Sequence, residues 1–208
     1  MRPYVISFIS TCLLLACLVS TSYAVEPDPP ELPPSMYFGE IQSAANGDGV
    51  ANRIQLFGSK FFTKHVGAWF WSSTNPAWSE AYIGPIIAIT DELQIGVAAG
   101  FETASTKPLR VGGMAGYYSG DHYAEILGEY SDGGYWIRAD GNYQLTDWFG
   151  IGGHAETDLG VGPRLRLRLP PDTIPIPIEI WGAPLFDWSA NGAAGTYLNG
   201  IAGLRINL

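Results

Sequence analysis

Residues 164–169 read Arg-Leu-Arg-Leu-Arg-Leu, so a cation and an apolar residue alternate at every step. In a β-strand, successive side chains point to opposite faces of the sheet, whereas a helix would spread both sets around its circumference. The stretch therefore predicts a strand with one charged face and one apolar face.

The same period of two continues outward from this stretch, over residues 93–102, 135–145 and 198–208. Turn-forming pairs such as Thr90-Asp91 separate the alternating segments. The pattern predicts an all-β chain of about twelve antiparallel strands, with ten as the alternative because the first three segments are the least regular. The predicted strands are 36–44, 50–58, 64–72, 79–89, 93–102, 109–118, 122–131, 135–144, 148–158, 161–169, 174–186 and 196–208.

The composition suits one domain with little exposed charge. The chain has 208 residues and a formal net charge of −9, from 11 Lys and Arg against 20 Asp and Glu. Charged residues make up 15 % of the chain, where about a quarter is usual. The acidic balance, with no basic cluster outside residues 164–169, argues against nucleic acid as a partner.

The first segment, residues 1–24, has the pattern of a secretory signal peptide, with an apolar run and small residues before a cleavage after Ala24. Lipidation at Cys17 is the alternative, because the preceding residues resemble a lipobox. Cys12 and Cys17 both lie in this segment, so the mature chain is expected to have no disulfide.

Residues 25–35 contain five prolines. Proline has no N–H and a fixed φ, so this stretch predicts an extended tether, whose binding partner the sequence does not define. Residues 36–208 then form the predicted β-domain.

Strand length and lysine placement indicate which face of the sheet is outside. Most predicted strands have 9–11 residues, which at ~3.3 Å per residue and a tilt of ~40° crosses an apolar band of about 25 Å. The chain has only Lys60, Lys64 and Lys107, all at predicted strand ends or in loops. A soluble β-protein usually spreads lysine over its exposed face, so both features favour an apolar exterior.

Aromatic residues of the apolar face lie near the strand ends, as the two headgroup regions of a membrane select. One predicted girdle contains Phe101, Tyr130, Tyr135, Phe186 and Trp188, and the other contains Tyr117, Tyr143 and Phe149.

The polar face is expected to carry equal numbers of cations and anions. Its arginines are Arg53, Arg110, Arg138, Arg164, Arg166, Arg168 and Arg205. Its acids are Glu40, Glu102, Glu125, Glu129, Asp140, Glu156 and Glu179. This balance predicts a lumen of paired charges, since the planar guanidinium can bind a carboxylate through two hydrogen bonds.

These features, over residues 36–208, resemble those of bacterial outer-membrane β-barrels. The resemblance implies a closed up-and-down barrel in the outer membrane of a diderm bacterium, with both chain ends and the tether in the periplasm. Members of the class commonly end in an aromatic residue, and this chain departs from that by ending in Leu208. The alternative is a soluble secreted β-domain that binds a ligand.

The weak candidates for catalysis are His154, Glu156 and Glu125. His154 and Glu156 share the polar face, and a histidine beside a carboxylate can act as a general base. Outer-membrane lipases and deacylases also need a nucleophilic serine near the histidine, and the stretch His154-Ala155-Glu156 has none. A hydrogen-bonding role for His154 in the lumen is therefore preferred to a lipid-modifying enzyme.

Metals and cofactors are not expected, because the chain has three scattered histidines and no cysteine after residue 24. The ladder Arg164, Arg166 and Arg168 has two interpretations, an anion site or pairing with carboxylates such as Glu156 and Glu179. The equal numbers of cations and anions favour pairing. The resulting prediction is a non-enzymatic envelope barrel, either structural or a narrow pore, whose partners are outer-membrane lipid and small solutes.

Overall fold

A computed structural model describes residues 32–47, 49–131, 134–170, 176–187 and 197–208. The predicted signal peptide, both cysteines and residues 25–31 of the predicted tether lie outside the described residues. Among the described residues, no helix is long and apolar enough to cross a membrane.

The chain folds into one closed antiparallel β-barrel. Each strand pairs with its neighbours along the chain, and the first strand pairs with the last. The strands are β1 (Met36–Asn46), β2 (Gly49–Phe61), β3 (Val66–Thr74), β4 (Ser79–Ala88), β5 (Leu93–Glu102), β6 (Leu109–Ser119), β7 (His122–Ser131), β8 (Gly134–Gln144), β9 (Phe149–Glu156), β10 (Gly160–Arg168), β11 (Ile178–Asp187) and β12 (Tyr197–Asn207). The prediction of an all-β barrel of twelve strands is confirmed, and the alternative of ten is wrong.

The turn between β2 and β3 lies later in the chain than predicted. The Phe62 N–H donates to the Val66 carbonyl at 2.9 Å, and the Thr63 hydroxyl accepts from the Val66 N–H at 3.0 Å. These bonds close a turn over residues 62–65, so β2 runs on to Phe61 and β3 begins only at Val66. The alternation in this region was too weak to locate the turn.

Apolar side chains cover the outside of the barrel, and charged side chains fill the inside. Val97 and Leu165 are 60 % and 52 % exposed, whereas Glu40, Arg138 and Arg164 are at most 2 % exposed. A soluble β-protein has the opposite arrangement, with its apolar face inward. The barrel therefore has the surface of a membrane-spanning one.

Aromatic residues are exposed on the outer surface at both ends of the strands. The end of the barrel that contains the β1–β2 turn has exposed Phe101, Tyr130, Tyr135 and Phe186. The opposite end has exposed Tyr117 and Tyr143. Trp188 lies outside the described residues.

The lumen also contains apolar side chains. The larger cluster lies along β2 to β7 and includes Phe57, Trp69, Trp71, Tyr82 and Ile86. A smaller cluster, which includes Trp181, Leu185 and Ile201, lies along β11 and β12. Charged residues share the lumen with both clusters.

Candidate functional site

Three contacts, here called the cross-lumen ties, join walls of the barrel that face each other. In the first, Arg53 of β2 donates through both terminal nitrogens to both oxygens of Glu156 of β9, each at 2.5 Å. In the second, Arg138 of β8 donates through Nη1 to the side-chain oxygen of Gln55 of β2. In the third, the indole rings of Trp71 (β3) and Trp136 (β8) stack with centroids 5.5 Å apart.

Arg138 also anchors the ion pairs at the centre of the lumen. Its Nε donates to Asp140 Oδ2 at 2.5 Å, and its Nη2 lies 3.8 Å from Glu40 Oε1. Glu40 in turn accepts from Arg205 Nε at 2.5 Å. These residues are almost completely buried, so each charge depends on its partners rather than on water.

Asp140 is the acid with the most cationic and histidine neighbours in this group. Beyond Arg138, its Oδ1 accepts from Arg164 Nη1 at 2.6 Å and lies 2.7 Å from His154 Nδ1. The other ring nitrogen of His154 lies 3.4 Å from Glu156 Oε2. His154 is thus held between two carboxylates, one of which belongs to a cross-lumen tie.

The arginine ladder of β10 has different partners from those expected. Arg166 pairs with Glu179, as expected, and Arg168 lies 2.9 Å from Asp121 and 3.5 Å from Glu179. Arg164, however, pairs with Asp140 and lies over the Trp181 ring at 4.0 Å.

The expected pairing of this ladder with Glu156 is wrong. The register aligns Glu156 with Gly160 at one end of β10, whereas Arg164 faces Gly152 further along the strand. Glu156 is therefore out of line with the ladder and pairs across the lumen with Arg53.

A second charged group lies near the turns that follow β3, β5 and β7. Arg110 pairs with Glu102, and Tyr82 donates its hydroxyl proton to Glu129. The same hydroxyl lies 3.4 Å from Glu80 Oε2.

Glu80 is a lumen acid that the sequence analysis missed. Inward-facing residues of β4 include Tyr82 and Ile86, so this strand lacks the polar-apolar alternation that marks β8 and β10. The outer face of β4 carried the usable signal, because exposed isoleucines at positions 83 and 87 place the even-numbered residues, including Glu80, on the inner face.

The register places Asp140 between Glu125 and His154, so Glu125 is two strands away from the histidine. His154 and Glu156 are neighbours, while the described hydrogen bond of Glu125 is with the Tyr118 hydroxyl, at 3.2 Å. The histidine is 1 % exposed and enclosed by the ion pairs of the lumen. Among the residues that the structure describes, no group of three or more His, Cys, Asp and Glu is arranged to hold a metal ion.

A closed twelve-stranded barrel with an apolar outside and a charged inside defines the class of this protein, the bacterial outer-membrane β-barrels. No protein-family model matches the chain, and no curated protein matches it.

Several solved structures are similar to the chain in fold. A NanC porin is 14 % identical, with a TM-score of 0.49 over 82 % of this chain and 98 % of that one. A KdgM porin is 11 % identical, with a TM-score of 0.46 over 84 % and 99 %. Outer membrane phospholipase A from Escherichia coli is 12 % identical, with a TM-score of 0.47 over 88 % and 94 %.

Proposed function

We propose that this protein is a non-enzymatic barrel of the outer membrane whose lumen is sealed at rest. Its role is structural, and it passes at most small solutes, when the seal is displaced. The observation that carries the proposal is the bidentate pair between Arg53 and Glu156, which joins facing walls at 2.5 Å.

The seal is expected to resist the passage of ions. A barrel of this strand number is narrow, and here two apolar clusters and the buried ion pairs occupy it. A hydrated ion would have to separate Arg53 from Glu156 or Arg138 from its partners. Leaving one buried charge without its partner costs about 3–5 kcal/mol.

The enclosure of His154 favours a structural role over lipid chemistry. Its two ring nitrogens face Asp140 and Glu156, and the side chain is buried inside the barrel. A lipid held in the surrounding membrane would have to enter the lumen to reach it.

Single-channel recording in planar bilayers tests the proposal. The experiment compares wild type, the tie variant Arg53→Ala/Glu156→Ala and the control Arg168→Ala/Asp121→Ala. The control also removes an arginine–carboxylate pair, but a partly exposed one that includes a turn residue.

We expect flat traces from wild type and the control, and openings from the tie variant, because only that variant shortens both side chains of a cross-lumen tie. A steady conductance through the wild-type barrel would overturn the proposal of a sealed lumen.

A further inference from the structure

The outer surface of the barrel has a depression of about 500 Å³, here called the outer groove, along β5 to β10. Larger residues that line it include Leu93, Tyr117 and Ile126. Between them the outward-facing residues are small. They are Ala115, Ala124, Ala139, Gly141, Gly153 and Ala155.

The register shows that the outer groove crosses the strands in two neighbouring rows. One row contains Tyr117, Ala124, Gly141 and Gly153, and the next contains Ala115, Ile126, Ala139, Ala155 and Val161. Adjacent strands lie about 4.8 Å apart, so the second row, from β6 to β10, is about 19 Å long. One leaflet of a hydrocarbon core of about 30 Å is about 15 Å thick. The groove is therefore long enough for one acyl chain of a lipid.

The packing of the barrel does not require glycine at the centre of the groove, where Gly141 of β8 pairs with Gly153 of β9. A Cβ added at these positions would lie 3.8 and 3.9 Å from the nearest atom, and neither glycine has a positive φ. Strand pairing also continues through both positions without a bulge. Glycine inside a strand often marks a site that a ligand approaches closely, and here the room lies open to a group from outside the barrel.

A second depression, of about 410 Å³, adjoins the outer groove at the end of the barrel that contains the β1–β2 turn, since Ala139 and Ala155 line both. Asp158, which is exposed, and Asp187 line it, whereas none of the described residues that line it is Lys or Arg. Glu156 also lines it, but its carboxylate is held in the lumen. The combined surface is thus apolar along the wall and acidic at its end, where headgroups meet the barrel.

A membrane lipid fits this surface better than a second copy of the chain does. The outer wall is the part of the barrel that contacts the membrane, and an acyl chain in the groove supplies the dispersion contacts that an empty groove would lose. A two-fold dimer would instead place the same concave surface on both partners, and two concave surfaces leave a void between them.

We propose that the outer groove binds one membrane lipid that has an ammonium group in its headgroup. One acyl chain lies along Gly141 and Gly153, and the ammonium group lies at Asp158, whose negative charge favours it over an anionic headgroup. This inference goes beyond the sealed-barrel function, because it concerns the outer surface and not the lumen.

Native mass spectrometry of the folded full chain in detergent tests the site, with equal amounts of phosphatidylethanolamine and phosphatidylglycerol that carry the same acyl chains. The groove variant is Gly141→Leu/Gly153→Leu, which fills the groove. The matched control is Gly182→Leu/Gly200→Leu, which adds the same side chains to outward-facing glycines of β11 and β12, where an added Cβ has similar room, at 3.7 and 4.0 Å. Different migration of heated and unheated samples on a gel shows whether each variant is folded.

The headgroup variant is Asp158→Asn, because asparagine tolerates the positive φ of 66° at this position. Its control is Asp147→Asn, which neutralises an exposed acid in the turn after β8, at the opposite end of the barrel. These two variants and the wild type test the proposal even if filling the groove prevents folding.

We expect wild type and Gly182→Leu/Gly200→Leu to retain phosphatidylethanolamine in preference to phosphatidylglycerol, and the groove variant to lose the bound lipid. Asp158→Asn should retain both lipids equally, because the acid that distinguishes them is neutral. Asp147→Asn should keep the preference of the wild type.

Three results would overturn the inference. They are no lipid retained by wild type, equal retention by wild type and the groove variant, or no preference of wild type for phosphatidylethanolamine. A wild-type dimer that the groove variant loses would also overturn it, by assigning the groove to a second copy of the chain. Because the readout is bound lipid and not current, these results are independent of the conductance test of the sealed lumen.

Discussion

Of the cross-lumen ties, the one between Arg53 and Glu156 joins the two residues that are furthest apart in the chain. The contacts of Arg53 show how the lumen is stabilised. Its Nε donates to Gln42 on the neighbouring strand, and its terminal nitrogens bind Glu156 on the facing wall. Each of the three guanidinium nitrogens therefore has an acceptor.

At this scale we predict that Glu156→Gln destabilises the barrel by about 3 kcal/mol, because Arg53, whose side chain is 13 % exposed, keeps its largely buried charge and loses its counter-ion. The double variant Arg53→Met/Glu156→Leu should recover most of the loss, since it removes both charges and keeps similar volume. Equilibrium unfolding in urea with lipid vesicles measures both. A single variant that unfolds at the wild-type urea concentration would contradict the prediction.

The second residue-scale prediction concerns His154→Ala. We expect the phospholipid and lipid A of the producing cells to be unchanged by mass spectrometry, because the histidine is enclosed in the lumen. The same variant should unfold at a lower urea concentration, since Asp140 loses its 2.7 Å contact and a small void remains. An altered lipid profile would instead support the enzyme hypothesis.

The strands differ in how clearly the sequence predicts them. β5 and β8 alternate sharply, and their predicted and observed bounds agree to within one residue. β11 begins at Ile178, directly after Pro177, whereas the sequence predicts a start at 174. In β4, the sequence does not reveal Glu80, because the inner face of this strand is mostly apolar.

The partners of the lumen charges were harder to predict than the faces. A period of two tells which face a residue occupies, but pairing depends on register and on which walls face each other across the barrel. Arg53 and Glu156 are 103 positions apart in the chain, so no local pattern connects them.

At the scale of elements, the prediction concerns the close approach of β10 to β11 at Gly162. A Cβ added at Gly162 of β10 would overlap the backbone carbonyl of Pro184 on β11. Gly162→Ala should therefore destabilise the barrel by about 1–3 kcal/mol. In the control Gly182→Ala, the added Cβ lies 3.7 Å from the Ile201 carbonyl oxygen, an ordinary contact.

Urea unfolding of the two alanine variants, side by side, measures this difference. The control should stay close to wild type. Equal midpoints for both variants would mean that the β10–β11 contact is looser than described.

At the scale of the whole molecule, the closed hydrogen-bonded cylinder and its two faces depend on each other. Pairing of β1 with β12 leaves no open edge, so backbone groups need no water at the depth of the membrane. The polar side chains can then be collected inside, where they pair with one another, while the outer surface remains apolar.

This arrangement predicts that the cost of a charge on the outer surface depends on its depth. Val97 is 60 % exposed at the middle of β5, and Leu109 is 80 % exposed at the first residue of β6. Val97→Arg should destabilise the barrel in vesicles by about 2–4 kcal/mol, whereas Leu109→Arg should cost about 0–1 kcal/mol, because headgroups and water reach that position. Unfolding in urea with vesicles measures both, and the gel shift between heated and unheated samples reports whether each variant closes. If the two arginines cost the same, the outer surface is not crossed by a bilayer at the predicted depth, and the apolar exterior needs another explanation.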